Sequence, residues 1–150
     1  MIEGVKVRDL NVNIDERGRL VEVYRRDWGF FDPPPAMAYY SVSYPEVIRA
    51  WHRHKRGQVD YFLCPSGHVR IGIYDDRDGS PTRGEHMTCE IGEHCQQVVR
   101  IPGKCWHGFK VLGDERAMLI NLPSKLYDHD DPDEERIPAD SDQIPFDWDG

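Results

Sequence analysis

Short runs of β-forming residues recur through this chain at near-regular spacing, each closed by turn residues, and no stretch carries a convincing helical period. The runs fall at residues 5–12, 19–24, 38–43, 48–54, 58–64, 67–75, 85–91, 97–101, 106–112 and 117–122. Between them lie punctuating turns such as Asp15-Glu-Arg-Gly18, Pro65-Ser-Gly67 and the polar stretch 76–84 with Gly79, Pro81 and Gly84. Ten short strands and no helix to cross between parallel neighbours predict an all-β sandwich or barrel. A chain of 150 residues is long enough to bury its own core, so residues 1–150 are expected to form a single domain.

Two segments fall outside the series. Residues 28–35 are aromatic and proline-rich, and three successive prolines cannot join a central strand, so this loop is expected to pack. From Tyr127 an acidic run, Asp128-His-Asp-Asp-Pro-Asp-Glu-Glu, reads as solvated surface, with a short helical turn opening at Pro132. The closing Ile144-Pro-Phe-Asp-Trp148 regains apolar residues and is expected to fold back onto the barrel.

A net charge of −8 argues against nucleic acid as a partner, because phosphate backbones select basic surfaces. No apolar run reaches membrane-spanning length, and Met1-Ile-Glu-Gly-Val-Lys lacks the apolar centre of a signal peptide. A cytoplasmic protein without membrane association is therefore expected, with Cys64, Cys89, Cys95 and Cys105 as reduced thiols.

Chemistry concentrates in Arg49-Ala-Trp-His-Arg-His54 and in His107. His52 and His54 occupy alternate positions of an extended run and are expected to share a face. With His107 from a later strand they could form an open three-nitrogen metal site, although Gln58 stands where a carboxylate ligand would complete it. The other use of such histidines is proton transfer: an imidazole tuned near neutrality removes a proton beside a carbonyl, and a cation or hydrogen-bond donor holds the enolate. Arg49 and Arg17 are candidates to grip an anion such as a pyrophosphate.

Five segments, in order, resemble the dTDP-4-dehydrorhamnose 3,5-epimerase family, which has the RmlC-like cupin fold, a double-stranded β-helix or jelly roll. Asp15-Glu-Arg-Gly18 with Glu22 resembles the family's DxRG…E turn, and Arg49-Ala-Trp-His52 its RGLH segment. The strand 67–77 with Ser80-Pro-Thr-Arg-Gly84 is similar to DxR followed by SPTxG, Ile101-Pro-Gly-Lys-Cys-Trp-His-Gly-Phe109 to IPxGxxHGF, and Ile144 to Trp148 to the closing IxW.

The resemblance implies a metal-free, cofactor-free epimerase of a nucleotide-linked 4-keto-6-deoxy sugar, acting as a homodimer. It makes His52 the base, oriented by an aspartate near the C-terminus, Asp140 or Asp142. Arg49 and His107 would hold the substrate and its enolate, and Arg17 would meet the nucleotide phosphates; Glu22 is placed with the substrate contacts. Alignment puts Asp60 where the family has its catalytic lysine, Asn121 where it has its proton-donating tyrosine, and His54 where it has a glutamine. These three are carried as substrate contacts, and the donor is expected from another strand: Tyr61, Tyr40 or Tyr127, with Tyr61 first. The His-x-His pair also resembles sugar-nucleotide 3,4-ketoisomerases. The remaining alternatives are a metal cupin using His52, His54 and His107, and a barrel that binds a sugar nucleotide without turning it over.

Overall fold

A computed structural model describes all of residues 1–150 and is nearly all β. The strands are β1 (Lys6–Asp9), β2 (Val12–Asp15), β3 (Gly18–Val21), β4 (Tyr39–Ser43), β5 (Ile48–Arg53), β6 (Val59–Ser66), β7 (His68–Tyr74), β8 (His86–Gly92), β9 (Gln97–Pro102), β10 (Trp106–Leu112), β11 (Ala117–Asn121) and β12 (Glu135–Arg136). A single 3₁₀ turn, Arg26–Trp28, is the only helical element. Every pairing is antiparallel, in two five-stranded sheets ordered β1-β9-β6-β11-β4 and β12-β5-β10-β7-β8, with β2-β3 as a separate hairpin. This is the expected jelly-roll arrangement.

Three apolar clusters hold the sheets. The largest fills the space between them and includes Phe62, Ile71, Ile101, Phe109 and Val111. A second lies outside the first sheet, where Phe31 and Leu10 cover Tyr61, Leu63 and Val98. The proline-rich loop thus packs, and strand β6 becomes buried on both faces. A third cluster covers the second sheet, where the returning tail sets Ile144 and Trp148 against Trp51 and Trp106.

Gly72 on β7 makes this last contact possible, since a Cβ there would lie 2.9 Å from Trp51, Phe146 and Trp148. Three rings therefore press directly on the sheet backbone.

Two expectations change. The first predicted strand divides into β1, which pairs with β9, and β2, which pairs with β3 around the Asp15–Gly18 turn. The helical turn at Pro132 does not form; Glu135 and Arg136 instead pair with Arg53 and His52 as β12, because edge strand β5 offers free backbone groups there.

The Trp148 ring packs tilted against Trp51 at 4.8 Å and edge-on against Phe146 at 4.6 Å, and the residue is 6% exposed. Trp148→Ala should cost about 3–5 kcal/mol of stability. Urea unfolding measures it, and a loss below about 1 kcal/mol would show that the tail is not part of the core.

Candidate active site

Between the open edges of the two sheets lies a cavity of about 550 Å³. Tyr39 and Phe62 line it from the first sheet, Arg49, His52 and Phe109 from the second, and Glu134 from the tail. Arg49 and His52 are three residues apart and would face opposite ways in a regular strand. A bulge resolves this: β10 residues His107 and Phe109 are opposed by His52 and Arg49, so β5 carries one extra residue in the interval. The Arg49 Nε donates to Ser43 Oγ at 2.7 Å, and its two Nη groups have no carboxylate partner.

His52 presents its ring to this cavity, and neither ring nitrogen has a protein hydrogen-bond partner. Burial, and then the neighbouring His107 ring 4.4 Å away, hold its pKa well below that of an ordinary histidine. It is a neutral imidazole with a free lone pair at neutral pH, the state a general base requires.

Behind His52 is a buried polar cluster centred on Asp60, which is 1% exposed. Its Oδ2 meets His54 Nε2 at 2.9 Å and His107 Nε2 at 3.0 Å; its Oδ1 accepts from Gln58 Nε2 at 2.8 Å and Asn121 Nδ2 at 3.0 Å. The other imidazole nitrogens also face acceptors, His54 Nδ1 to Asp133 O at 2.7 Å and His107 Nδ1 to Cys105 O at 2.9 Å. Carbonyl and carboxylate oxygens only accept, so both His54 contacts are hydrogen bonds when its ring carries N–H at both nitrogens. Burial pushes the Asp60 carboxyl up, but the bonds from His107 and His54 override it and hold the group well below the usual carboxylate range. Burial likewise opposes charge on His54, and Asp60 outweighs it and raises that pKa.

The structure places several residues of the expected site behind the cavity wall. Asp60, His54, His107 and Asn121 are all buried and none lines the cavity, because they spend their hydrogen-bonding capacity on one another. They stand behind the residues that line it. With His54 tied to Asp60, the two-histidine arrangement of the ketoisomerase reading is not assembled at the cavity. The three rings of the expected metal set, His52, His54 and His107, lie 4.4 to 6.1 Å apart, and the ligand atoms that approach within 4.8 Å of one another belong to His54, Asp60 and His107.

Tyr61 lies away from the cavity. Alternation along β6 turns it away from Asp60 and Phe62, its ring packs 4.8 Å from Phe31, and its hydroxyl donates to Pro33 O at 2.7 Å. Asp140 and Asp142 are exposed, and neither carboxylate bonds another residue or orients His52. Arg17 and Glu22 stay on the exposed β2–β3 region, ion-paired with Asp15 and Arg25, away from the cavity of their own chain. Cys105 is fully buried and its thiol is pushed up to about 12, so it is no thiolate partner for His107.

The acidic run holds the residues that sequence reasoning missed. Glu134 lines the cavity with Arg136, 2.8 Å from it, and the Asp133 carboxylate caps the backbone N–H groups of Lys55 and Arg56 at 2.9 Å. Composition alone marks such a run as solvent-facing, and only the pairing of β12 with β5 brings it inward. The DxR…SPTxG segment is a structural knot: buried Asp75 accepts from Arg77 Nε at 2.8 Å, Ser80 Oγ at 2.6 Å and Thr82 Oγ1 at 2.7 Å.

Comparison with known proteins agrees with this architecture. The family described as dTDP-4-dehydrorhamnose 3,5-epimerase matches residues 1–150. The probable low-salt glycan biosynthesis epimerase Agl13 of Haloferax volcanii is 62% identical over 147 residues, covering 98% of this chain and 94% of that protein. A dTDP sugar isomerase from Desulfovibrio desulfuricans G20 superposes with a TM-score of 0.91 at 30% identity, over 99% of this chain and 93% of that one. NovW, a 4-keto-6-deoxy sugar epimerase from the novobiocin biosynthetic gene cluster of Streptomyces spheroides, superposes at 0.86 and 30% identity, over 98% of this chain and 75% of that one.

The His54–Asp60 contact has a pH signature. A histidine whose pKa is raised by folding stabilises fully below its unfolded value of roughly 6.5 and loses that contribution as pH climbs through the folded value. The stability advantage of the wild type over His54→Gln should therefore be largest in mildly acid solution and shrink above about pH 6.5. Urea midpoints of both proteins across that range test it; a gap independent of pH would mean that His54 is not charged in the fold.

Proposed function

The chain belongs to the dTDP-4-dehydrorhamnose 3,5-epimerase family, and we propose that it epimerises a dTDP-linked 4-keto-6-deoxy sugar with His52 as the base. It is an epimerase of sugar-nucleotide biosynthesis. The observation that carries the mechanism is the neutral, unpartnered His52 imidazole at the cavity wall.

A proton on carbon next to a ketone is acidified because its electron pair can pass into the carbonyl as an enolate. His52 takes that proton, and the unpaired Nη groups of Arg49 meet the oxygen that becomes negative. The Asp60 cluster keeps the wall behind His52 rigid: burial of a carboxylate is tolerated only while its donors stay in place. No helix of the structure is long and apolar enough to cross a membrane, and the four cysteines are free, which fits a reducing compartment; we place the reaction in the cytoplasm.

The partner of the chain is a second copy. A free-standing two-stranded hairpin is marginal in water, yet β2–β3 exposes Ile14 at 76% and Leu20 at 65%. A homodimer covers these side chains and lets Arg17 at the hairpin turn approach a nucleotide diphosphate in the other copy's cavity. Sedimentation should give a dimeric mass that falls to a monomer for Ile14→Asp/Leu20→Asp; a monomeric wild type ends this part of the reading.

The base assignment is tested with a dTDP-4-keto-6-deoxy sugar in deuterated water. The wild type should wash deuterium into carbon next to the keto group, and His52→Asn should slow this by about 10²–10⁴-fold. Exchange by His52→Asn at the wild-type rate would remove His52 from the reaction.

A further inference from the structure

Inversion needs two proton-handling groups. A base that returns the proton it took restores the original configuration, so the new proton must reach the opposite face of the planar enolate. His52 supplies one face, from β5 in the second sheet. The sequence position at which the family resemblance expects the donor holds Asn121, whose amide carries no acidic proton.

We propose that Tyr39 is the acid that completes the inversion, its phenol acting from the first sheet across the cavity from His52. Tyr39 is the one tyrosine lining the cavity, and β4, which carries it, lies in the sheet opposed to that of His52. It is also the direct cross-strand partner of Asn121 in the β11–β4 register. Paired residues on adjacent antiparallel strands place their side chains together on one face, so a phenol lost at position 121 is recovered one strand away. The side chains confirm the adjacency: Asn121 Nδ2 donates to Tyr39 Oη at 3.0 Å and to Asp60 Oδ1 at 3.0 Å. Asn121 Oδ1 in turn accepts from Tyr61 N at 3.1 Å, which fixes the orientation of the amide.

That geometry leaves the phenol with a proton to give. Its oxygen accepts from Asn121, so its own O–H is directed elsewhere, and the same donor would hold the phenolate formed after transfer. Burial raises the Tyr39 pKa, so the group is protonated at neutral pH. None of the other six tyrosines lines the cavity: Tyr61 donates to Pro33 O, Tyr24 packs on Phe31, Tyr40 alternates to the other face of β4, Tyr44 lies beyond the strand and is 73% exposed, Tyr74 packs with the tryptophan cluster, and Tyr127 lies against His129.

The step balances without any further reagent. His52 takes the proton of the C–H bond, whose electron pair enters the enolate. The enolate collapses to the ketone as its carbon takes the Tyr39 O–H proton from the opposite face. The imidazolium then loses a proton to solvent and the phenolate regains one.

This assignment rests on His52 as the base, and Tyr39→Phe, which removes one oxygen, separates the two claims. A dTDP-4-keto-6-deoxy sugar is incubated in deuterated water with wild type, Tyr39→Phe and His52→Asn. Deuterium content is read by mass spectrometry, configuration by NMR, and dTDP binding by calorimetry. Tyr39→Phe should bind dTDP, still exchange deuterium with retention through His52, and form inverted product about 10²–10⁴-fold more slowly, whereas His52→Asn loses both exchange and inversion. Inversion by Tyr39→Phe at the wild-type rate overturns the assignment. So does loss of exchange in parallel with inversion, or loss of dTDP binding, since either makes Tyr39 a positioning residue. Absence of exchange by the wild type overturns the epimerase mechanism itself, and this assignment with it.

Discussion

A carboxylate with almost no solvent contact sets the constraints on this barrel. Asp60 needs donors for both oxygens, and it draws them from separate pieces of the chain: Gln58 just before it, Asn121 on β11, His107 on β10 and His54 after β5. An unpaired charge buried this deeply is strongly destabilising, so these segments are bound to one arrangement or the fold is lost. The two sheets are joined through this contact as well as through the apolar interior. His52 stands in front of the cluster, its ring against that of His107, and takes its depressed pKa from burial and from that neighbour. Asp60 itself opposes that depression, while His107, which it holds in place, adds to it.

Burial of β6 on both faces follows from the aromatic loop that covers the first sheet. Asp60 and Phe62 face the interior, and Tyr61 faces Phe31. One residue of alternation separates a carboxylate that supports the active site from a tyrosine that only packs. On β5 a bulge has the opposite effect, bringing Arg49 and His52 to the same cavity despite an odd separation. Such local departures from period two decide which side chains share a chamber.

Much of the site was legible because it lies in short, contiguous motifs. His52 and Arg49 sit three residues apart, and the HGF segment that carries His107 is contiguous too, so resemblance places them without any knowledge of register. The Asp60 cluster was not legible as a cluster: its members are spread from His54 to Asp133, and all its selectivity lies in which side chains meet. Asp140 and Asp142 lie exposed and out of contact with His52, because the tail that carries them is anchored by Ile144 and Trp148 on the outer face of the second sheet. Of the acidic run, residues 128–132 are exposed as composition describes, and only residues 133–135 are drawn in where the free edge of β5 recruits the chain.

The sequence by itself determined an all-β chain, its order of strands and turns, and the motifs that carry Arg49, His52 and His107, because turn chemistry, alternation and short motifs are properties of neighbouring residues. Only the tertiary structure decided that His54, Asp60, His107 and Asn121 form a buried support, that Tyr61 belongs to the packing, and that Tyr39 faces the cavity beside Asn121. These depend on strand register and on which face of a sheet is covered. Register is set by the summed burial of whole strands, and a shift of one residue would exchange every inward side chain for an outward one.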